Sequence, residues 1–179
     1  TMKISRTAKI ETAVEPKGKR FLNRTALQNV YLDREESQAK LIATDGRILA
    51  IVPVEAKEGE SGFISPEALK AARKLKGDVE VACNGHLALL DGMQFPKPDV
   101  SGVFPQWRKV LPQAQGETLR IGLNPSLLLR LAEAIEAETV ELTIDLSNPD
   151  GAIHVAVGKT ASDENRDNAG VIMPVKVKR

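Results

Sequence analysis

The chain has 179 residues, of which 42% are hydrophobic and 27% are charged. This length and composition predict one soluble domain, or one domain with an elaborated edge, and exclude a large multidomain enzyme. The 25 Lys and Arg residues against 24 Asp and Glu leave a net charge of +1. Any contact with nucleic acid must therefore come from a local basic patch.

Cysteine content and hydropathy indicate the compartment. The single cysteine, Cys83, excludes an internal disulfide framework and a Cys-rich zinc site. No apolar run approaches the roughly 20 residues that a membrane span needs, and the N-terminus carries no apolar stretch typical of a secretory signal. We therefore expect a cytoplasmic protein that does not contact membranes.

The first part of the chain is basic, and the part that follows is rich in β-branched residues. Residues 1–24 carry seven Lys and Arg against two Glu, which predicts a basic N-terminal segment over residues 1–25 ahead of a domain at 26–179. Three β-like runs follow at 29–32, 40–43 and 48–54. They are separated by polar turns such as 33–36 and Asp45-Gly46, a pattern that favours an antiparallel sheet.

Two helices are predicted from the same start signal, a capping side chain followed by proline. Ser65 or Asn124 can accept hydrogen bonds from the first N–H groups of the helix, and a proline at the first position loses no hydrogen bond. The first helix should extend to about residue 76, with an apolar face of Ala68, Leu69, Ala72 and Leu75 and an opposite basic face of Lys70, Arg73 and Lys74. The second should extend to about residue 137, with an apolar face of Leu127, Leu128, Leu131, Ala134 and Ile135.

The two helices belong to an internal repeat with an offset of 59 residues. Two β-like runs follow each helix, at 79–82 and 87–90 after the first and at 140–143 and 153–157 after the second. A β-α-β-β(-β) unit thus occurs twice, at about 62–92 and 119–177, with a connector at 93–118. We expect a single α+β domain in which both helices lie on one face of antiparallel sheets.

Motifs of catalysis and metal binding are weak in this sequence. Cys83 and His86 have the spacing of two zinc ligands, but no second pair accompanies them. Asp45 lies in a predicted turn with no partner carboxylate, and neither a nucleophile elbow nor a phosphate-binding glycine loop is present. We expect no enzymatic activity, no metal and no other cofactor.

Three segments, in a characteristic order, resemble the bacterial DNA sliding clamp, the beta subunit of DNA polymerase III. Residues 41–50 read LIATDGRILA and resemble the clamp's Ala-Thr-Asp-Gly-His-Arg-Leu-Ala. Residues 102–112 read GVFPQWRKVLP and resemble its Gly-x-Phe-Pro-Asp-Tyr-Arg-Arg-Val-Leu-Pro. Residues 171–177 read VIMPVKV and resemble its C-terminal Val-Met-Pro-Met-Arg-Leu. The resemblance covers the chain from about Ala26 to its end and implies a reduced, single-domain clamp-like fold.

The resemblance also implies a binding site. In the clamp family these segments form the walls of a hydrophobic cleft that captures short linear motifs of replication proteins. By residue-by-residue transfer, the cleft of this chain would be lined by Thr44, Gly46, Arg47, Leu49, Pro112, Val171, Met173, Pro174 and Val175. Arg47-Ile48 replaces the family's His-Arg, so the charge at the cleft rim is changed.

Three functions remain open on the sequence alone. The first is a noncatalytic clamp-like protein of DNA replication or repair that binds partner peptides. The second is a DNA-binding module, or a homo-oligomeric ring around double-stranded DNA, with contacts from the N-terminal basic segment and from Lys70, Arg73 and Lys74. The third is a structural protein that retains only the fold. Trp107 is either a buried staple of the connector or a residue at the cleft edge.

Overall fold

The computed structural model describes residues 2–3, 7–17, 24–35, 38–56, 61–74, 82–83, 87–88, 94–112, 118–158 and 168–175. The chain forms two compact units, Thr1–Pro112 and Gln113–Arg179. The boundary between them falls inside the predicted connector. No helix in the described ranges is long and apolar enough to cross a membrane.

The described residues of the first unit form two antiparallel sheets and one α-helix. Its elements are β1 (Met2–Lys3), a 3-10 turn (Ile10–Thr12), β2 (Val30–Glu35), β3 (Gln38–Thr44), β4 (Leu49–Ala56), β5 (Gly62–Ile64), α1 (Pro66–Lys74), β6 (Ala82–Cys83), β7 (Leu87–Ala88), β8 (Gln94–Phe95) and a second 3-10 turn (Trp107–Val110). The strand orders are β1-β4-β3-β2-β5 and β6-β7-β8. The three predicted strands are confirmed as β2, β3 and β4.

The predicted turn at 33–36 is wrong for its first three residues. Asp33 pairs with Lys40 and Glu35 with Gln38, so the β2–β3 ladder continues to the end of β2. Polar side chains favoured a turn in the sequence, but two of these carboxylates form ion pairs with Arg108. Those ion pairs neutralise the charge of the two carboxylates, so both residues can remain in an extended strand.

The core of the first unit lies between the five-stranded sheet and α1. Val30, Leu32 and Leu41 are fully buried on the sheet face that meets the helix. The predicted apolar face of α1 is confirmed for Ala68, Leu69 and Ala72, which are also fully buried, whereas Leu75 lies outside the described residues. The predicted cap is confirmed too, because Ser65 Oγ accepts a hydrogen bond from the Ala68 N–H at 3.1 Å.

The basic N-terminal segment contributes to this core. Ile10 and Ala13 are buried in the cluster that contains the α1 side chains. Glu11 is also buried, and its carboxylate forms an ion pair with Arg73 of α1, whose side chain is only 14% exposed. The sequence pattern put Arg73 on an outer basic face, but the buried carboxylate draws its guanidinium inward. The described residues of the segment are therefore integral to the first unit.

We predict that Glu11→Ala destabilises the protein by about 3–5 kcal/mol, because it leaves the Arg73 guanidinium poorly solvated and without its counter-charge. The matched control is Lys17→Ala, which removes the exposed ion pair between Lys17 and Glu67 and should cost less than about 1 kcal/mol. Urea denaturation of both variants measures the difference. Equal losses would show that the buried ion pair is not an important contact.

The opposite face of the five-stranded sheet is covered by the segment that follows β8. Ile42, Phe104 and Trp107 form a second buried cluster, against which Tyr31 and Phe63 pack. Trp107 is 6% exposed, and its indole N–H donates a hydrogen bond to Asp33 Oδ2 at 2.8 Å. The interpretation of Trp107 as a buried staple is therefore confirmed.

Truncation of this staple should be costly. We expect Trp107→Ala to lower the free energy of unfolding by about 3–5 kcal/mol, as for other buried aromatic side chains. Val110→Ala, three residues further on and exposed, should change it by no more than about 0.5 kcal/mol. Guanidinium unfolding followed by circular dichroism tests both, and a Trp107→Ala variant as stable as the control would contradict the packing described here.

The second unit is a helix on a three-stranded antiparallel sheet. It contains α2 (Pro125–Ala134), β9 (Val140–Thr143), β10 (Ile153–Val157) and β11 (Ala169–Ile172), in the strand order β11-β10-β9. Ile135, Ile153, Val155, Val157 and Ile172 form its core. Asn124 caps the helix as predicted, because its side chain accepts a hydrogen bond from the Ser126 N–H at 3.0 Å.

Helix α2 is shorter and more exposed than its sequence predicts. It ends at Ala134, and Glu136 adopts a positive φ of 54° just beyond it. Leu128, Leu131 and Ile135 pack on the sheet as predicted, but Leu127 and Ala134 are exposed. Those two lie on a flank of the helix, and the three-stranded sheet covers only the central stripe.

The described residues show the same order of elements after the two helices, whereas residues 79–81 and 89–90 of the predicted runs lie outside them. Both α1 and α2 are followed by three short strands that form an antiparallel sheet, β6-β7-β8 in the first unit and β11-β10-β9 in the second. The predicted α+β class with two helices and antiparallel sheets is confirmed as well. Residues 159–167 lie outside the described residues.

Candidate functional site

The β3–β4 turn holds four of the residues implied in binding, and its own hydrogen bonds make it rigid. The Thr44 hydroxyl donates to the Ile48 carbonyl at 2.6 Å and accepts from the Gly46 N–H at 3.0 Å. Asp45 Oδ1 accepts from the N–H groups of Arg47 at 2.8 Å and Ile48 at 2.9 Å. Gly46 has a φ of +89°, a conformation that a residue with a Cβ adopts only at a cost.

Two of the four residues are held inside the first unit, and the other two are exposed at the tip of the turn. Thr44 is buried, and its hydroxyl is used inside the turn, while Leu49 is half-buried in the aromatic cluster of the first unit. Arg47 and Gly46 are exposed at the tip, as is Ile48. The turn therefore presents a cation and an apolar side chain on a preorganised backbone.

The pKa of Asp45 lies below its ordinary value of 3.8, first because the Ile48 and Arg47 N–H groups donate to the carboxylate. A lowered folded-state pKa means that the ionised carboxylate stabilises the turn above the ordinary pKa. This stabilisation is lost as the pH falls through the lowered value.

We predict that acid opens this turn locally. The amide NMR signals of Arg47 and Ile48 should move together with a midpoint below pH 3.8, because protonation weakens the hydrogen bonds that both donate. In Asp45→Asn the same titration step should disappear. A midpoint at or above the ordinary value would contradict the described hydrogen bonds.

Residues 171–175 of the second unit present an apolar row. Ile172 points into the core at 5% exposure, whereas Val171, Met173 and Val175 are 64%, 61% and 51% exposed. The Val175 N–H donates to the Gly122 carbonyl at 2.8 Å, which anchors the end of the segment. Alternation along an extended strand thus places three apolar side chains outward on a fixed backbone.

The remaining implied residues lie elsewhere. Pro112 is exposed at the end of the first unit, and Pro174 is half-buried in the second. Of the proposed DNA contacts on α1, Lys70 and Lys74 are exposed, while Arg73 is turned toward Glu11. Four of the implied cleft residues thus share the β3–β4 turn and four share the 171–175 segment.

One polar cluster was not foreseen. The Arg108 guanidinium reaches Asp33 at 2.8 Å and Glu35 at 2.7 Å, and it lies 4.3 Å from the centroid of the Trp107 ring. Trp107 and Arg108 lie more than 70 positions after the two acidic residues in the chain, so no local pattern links the two pairs. The local sequence predicts a polar turn at Asp33 and Glu35 and gives no signal of a contact with Arg108.

Bacterial clamps are among the solved structures that resemble this chain. No protein-family model and no curated protein sequence matches it. The DNA polymerase III subunit beta of Borrelia burgdorferi superposes with a TM-score of 0.68 at 15% identity, over 96% of this chain and 47% of that one. The subunit from Pseudomonas aeruginosa gives 0.68 at 16% identity, over 96% and 50%. The Helicobacter pylori beta clamp bound to a DNA ligase peptide gives 0.58 at 17%, over 96% and 48%.

The chain has the bacterial sliding-clamp fold. It spans about half the length of these clamp structures. Each segment that carried the resemblance has a definite place in this clamp fold. Residues 41–50 form the β3–β4 hairpin, 102–112 cover the outer sheet face of the first unit, and the described part of 171–177 forms the end of β11 and the exposed row.

Proposed function

We propose that this chain is a noncatalytic, clamp-like protein of DNA replication or repair that binds linear peptide motifs of partner proteins. The observation that carries the proposal is the exposed row of Val171, Met173 and Val175 on a backbone fixed by the core residue Ile172. A soluble protein gains nothing in folding from such a row, so a partner that covers it is the natural reason for its exposure.

The chemistry of the row suits peptide side chains. Methionine is flexible and polarisable, so Met173 can adapt to differently shaped apolar residues of a partner. Pro174 has no N–H group, and the Val175 N–H is already bonded to Gly122. Recognition would therefore rest on apolar side-chain burial, with hydrogen bonds from the peptide as a smaller contribution.

The β3–β4 turn of the first unit is, by itself, a second candidate surface for a peptide. Arg47 offers a cation and Ile48 an apolar surface, and the turn keeps both in place without a partner. Preorganised groups lose little conformational entropy on binding. The fold neighbour from Helicobacter pylori carries a DNA ligase peptide, which supports a linear peptide as the ligand class.

We predict that Met173→Ala weakens the binding of a fluorescein-labelled DNA ligase peptide about tenfold, equivalent to about 1.4 kcal/mol. The matched control is Leu146→Ala, which truncates another exposed apolar side chain of the second unit outside the row. Fluorescence anisotropy measures the dissociation constant for both. An unchanged constant in Met173→Ala, or no binding at about millimolar peptide, would refute the proposed site.

The Arg47 contact is tested separately. Arg47→Ala leaves every hydrogen bond of the turn in place, because only the backbone N–H of this residue takes part. Weaker peptide binding in this variant would place the turn at the binding surface. Unchanged binding would confine the site to residues 171–175.

DNA binding has less support. Lys70 and Lys74 are exposed on α1, but the third cation of this face, Arg73, is engaged by Glu11. Two lysines neutralise few phosphates, so the described face of α1 by itself should bind duplex DNA weakly, with an affinity that falls only slightly with salt.

A further inference from the structure

A groove in the first unit contains none of the residues proposed above for peptide binding. It encloses about 510 Å³ between the end of β2, Phe63 and the segment 102–109. Its wall is a cluster of rings in which Tyr31 stacks on Phe104 with centroids 5.0 Å apart, and Phe63 tilts against Tyr31 at 5.2 Å. Ligand sites have volumes of about 300–1,000 Å³ and are mostly apolar with a few placed polar groups.

The segment that borders the groove is held at both ends. At its start, Thr25 Oγ1 accepts from the Ser101 N–H at 2.8 Å and donates to the Ser101 carbonyl at 3.1 Å. At its end, Trp107 and Arg108 are bound to Asp33. The stretch between these anchors therefore has a defined path without any ligand.

Between these anchors, the segment has an exposed apolar side chain and two backbone N–H groups that are available for binding. Val103 is 91% exposed, directly after Gly102, whose φ of +97° turns the chain outward. Among the described residues, the N–H groups of Val103 and Phe104 have no acceptor. An extended peptide could pair with this backbone and bury a side chain against the rings, as in strand addition.

The charge at the rim selects the ligand. Asp33 and Glu35 are both neutralised by Arg108, whereas Lys109 makes no ion pair with any described residue. Lys40 of β3 is not part of the lining, but its ammonium group lies 5.7 Å from the centroid of the Trp107 ring. Among the described residues that line the groove, one carboxylate, Asp33, stands against two cations, Arg108 and Lys109. The lining therefore carries a net positive charge and is complementary to an acidic ligand.

We propose that this groove is a peptide site separate from the 171–175 row. It takes a large apolar side chain from an extended segment that has acidic residues on either side. The side chain packs on Tyr31 and Phe63, Val103 closes over it, and Lys109 pairs with a flanking carboxylate. The proposal does not depend on the function of the row.

Two synthetic peptides of opposite charge test it. The probes are acetyl-Asp-Leu-Phe-Asp-amide and acetyl-Lys-Leu-Phe-Lys-amide, and the signal is the fluorescence of Trp107, the single tryptophan of the chain. We expect the acidic peptide to bind at least about tenfold more tightly than the basic one. Lys109→Glu should reverse this preference, whereas Lys74→Glu, an exposed lysine on α1, should leave it unchanged.

A second set of variants tests the contact of the Val103 side chain with the peptide. Val103→Ser should weaken both peptides about tenfold, while Val110→Ser, also at an exposed valine, should weaken neither. Both positions are exposed, so the variants should fold like the parent chain, and their thermal unfolding verifies this. Equal affinities in Val103→Ser and the parent, or no binding of either peptide at about 5 mM, would overturn the proposal. Loss of binding in Met173→Ala would instead assign these peptides to the row.

Discussion

The five-stranded sheet of the first unit is buried on both faces, and the other features of that unit depend on this arrangement. Alternate residues of β2 and β3 point in opposite directions, so Leu32 and Leu41 meet α1 while Tyr31 and Ile42 meet the segment around Trp107. A one-residue slip in register would exchange the two sets. The sheet thereby determines which side of the unit holds the helix and which holds the aromatic groove.

Ion pairs and a hydrogen bond to a carboxylate hold α1 and the N-terminal segment together on one face of this sheet, and hold the segment around Trp107 on the other. Glu11 and Arg73 join the N-terminal segment to α1 on one side, and Asp33 joins Trp107 and Arg108 to β2 on the other. The first ion pair is buried, so each partner depends on the other for its solvation. Burial of the cation also reduces the basic surface of α1.

Both proposed sites combine a rigid backbone with exposed apolar side chains. In the second unit, Ile172 fixes the strand that presents Met173. In the first, the anchors at Ser101 and Trp107 fix the loop that presents Val103. Sites of this kind lose little entropy on binding, so a few apolar contacts are enough to hold a peptide.

Local patterns in the sequence were sufficient to predict the strands β2 to β4, both helix starts and the fold class, because caps, alternation and turns act over a few residues. The order of the three resembling segments was also sufficient to predict the clamp fold. The inward turn of Arg73, the continuation of β2 through Asp33 and the exposure of Leu127 required the tertiary structure. Each depends on a partner distant in sequence, Glu11 for Arg73 and Arg108 for Asp33, or on the width of a sheet for Leu127. Helical periodicity alone does not predict which side chains come into contact across the fold.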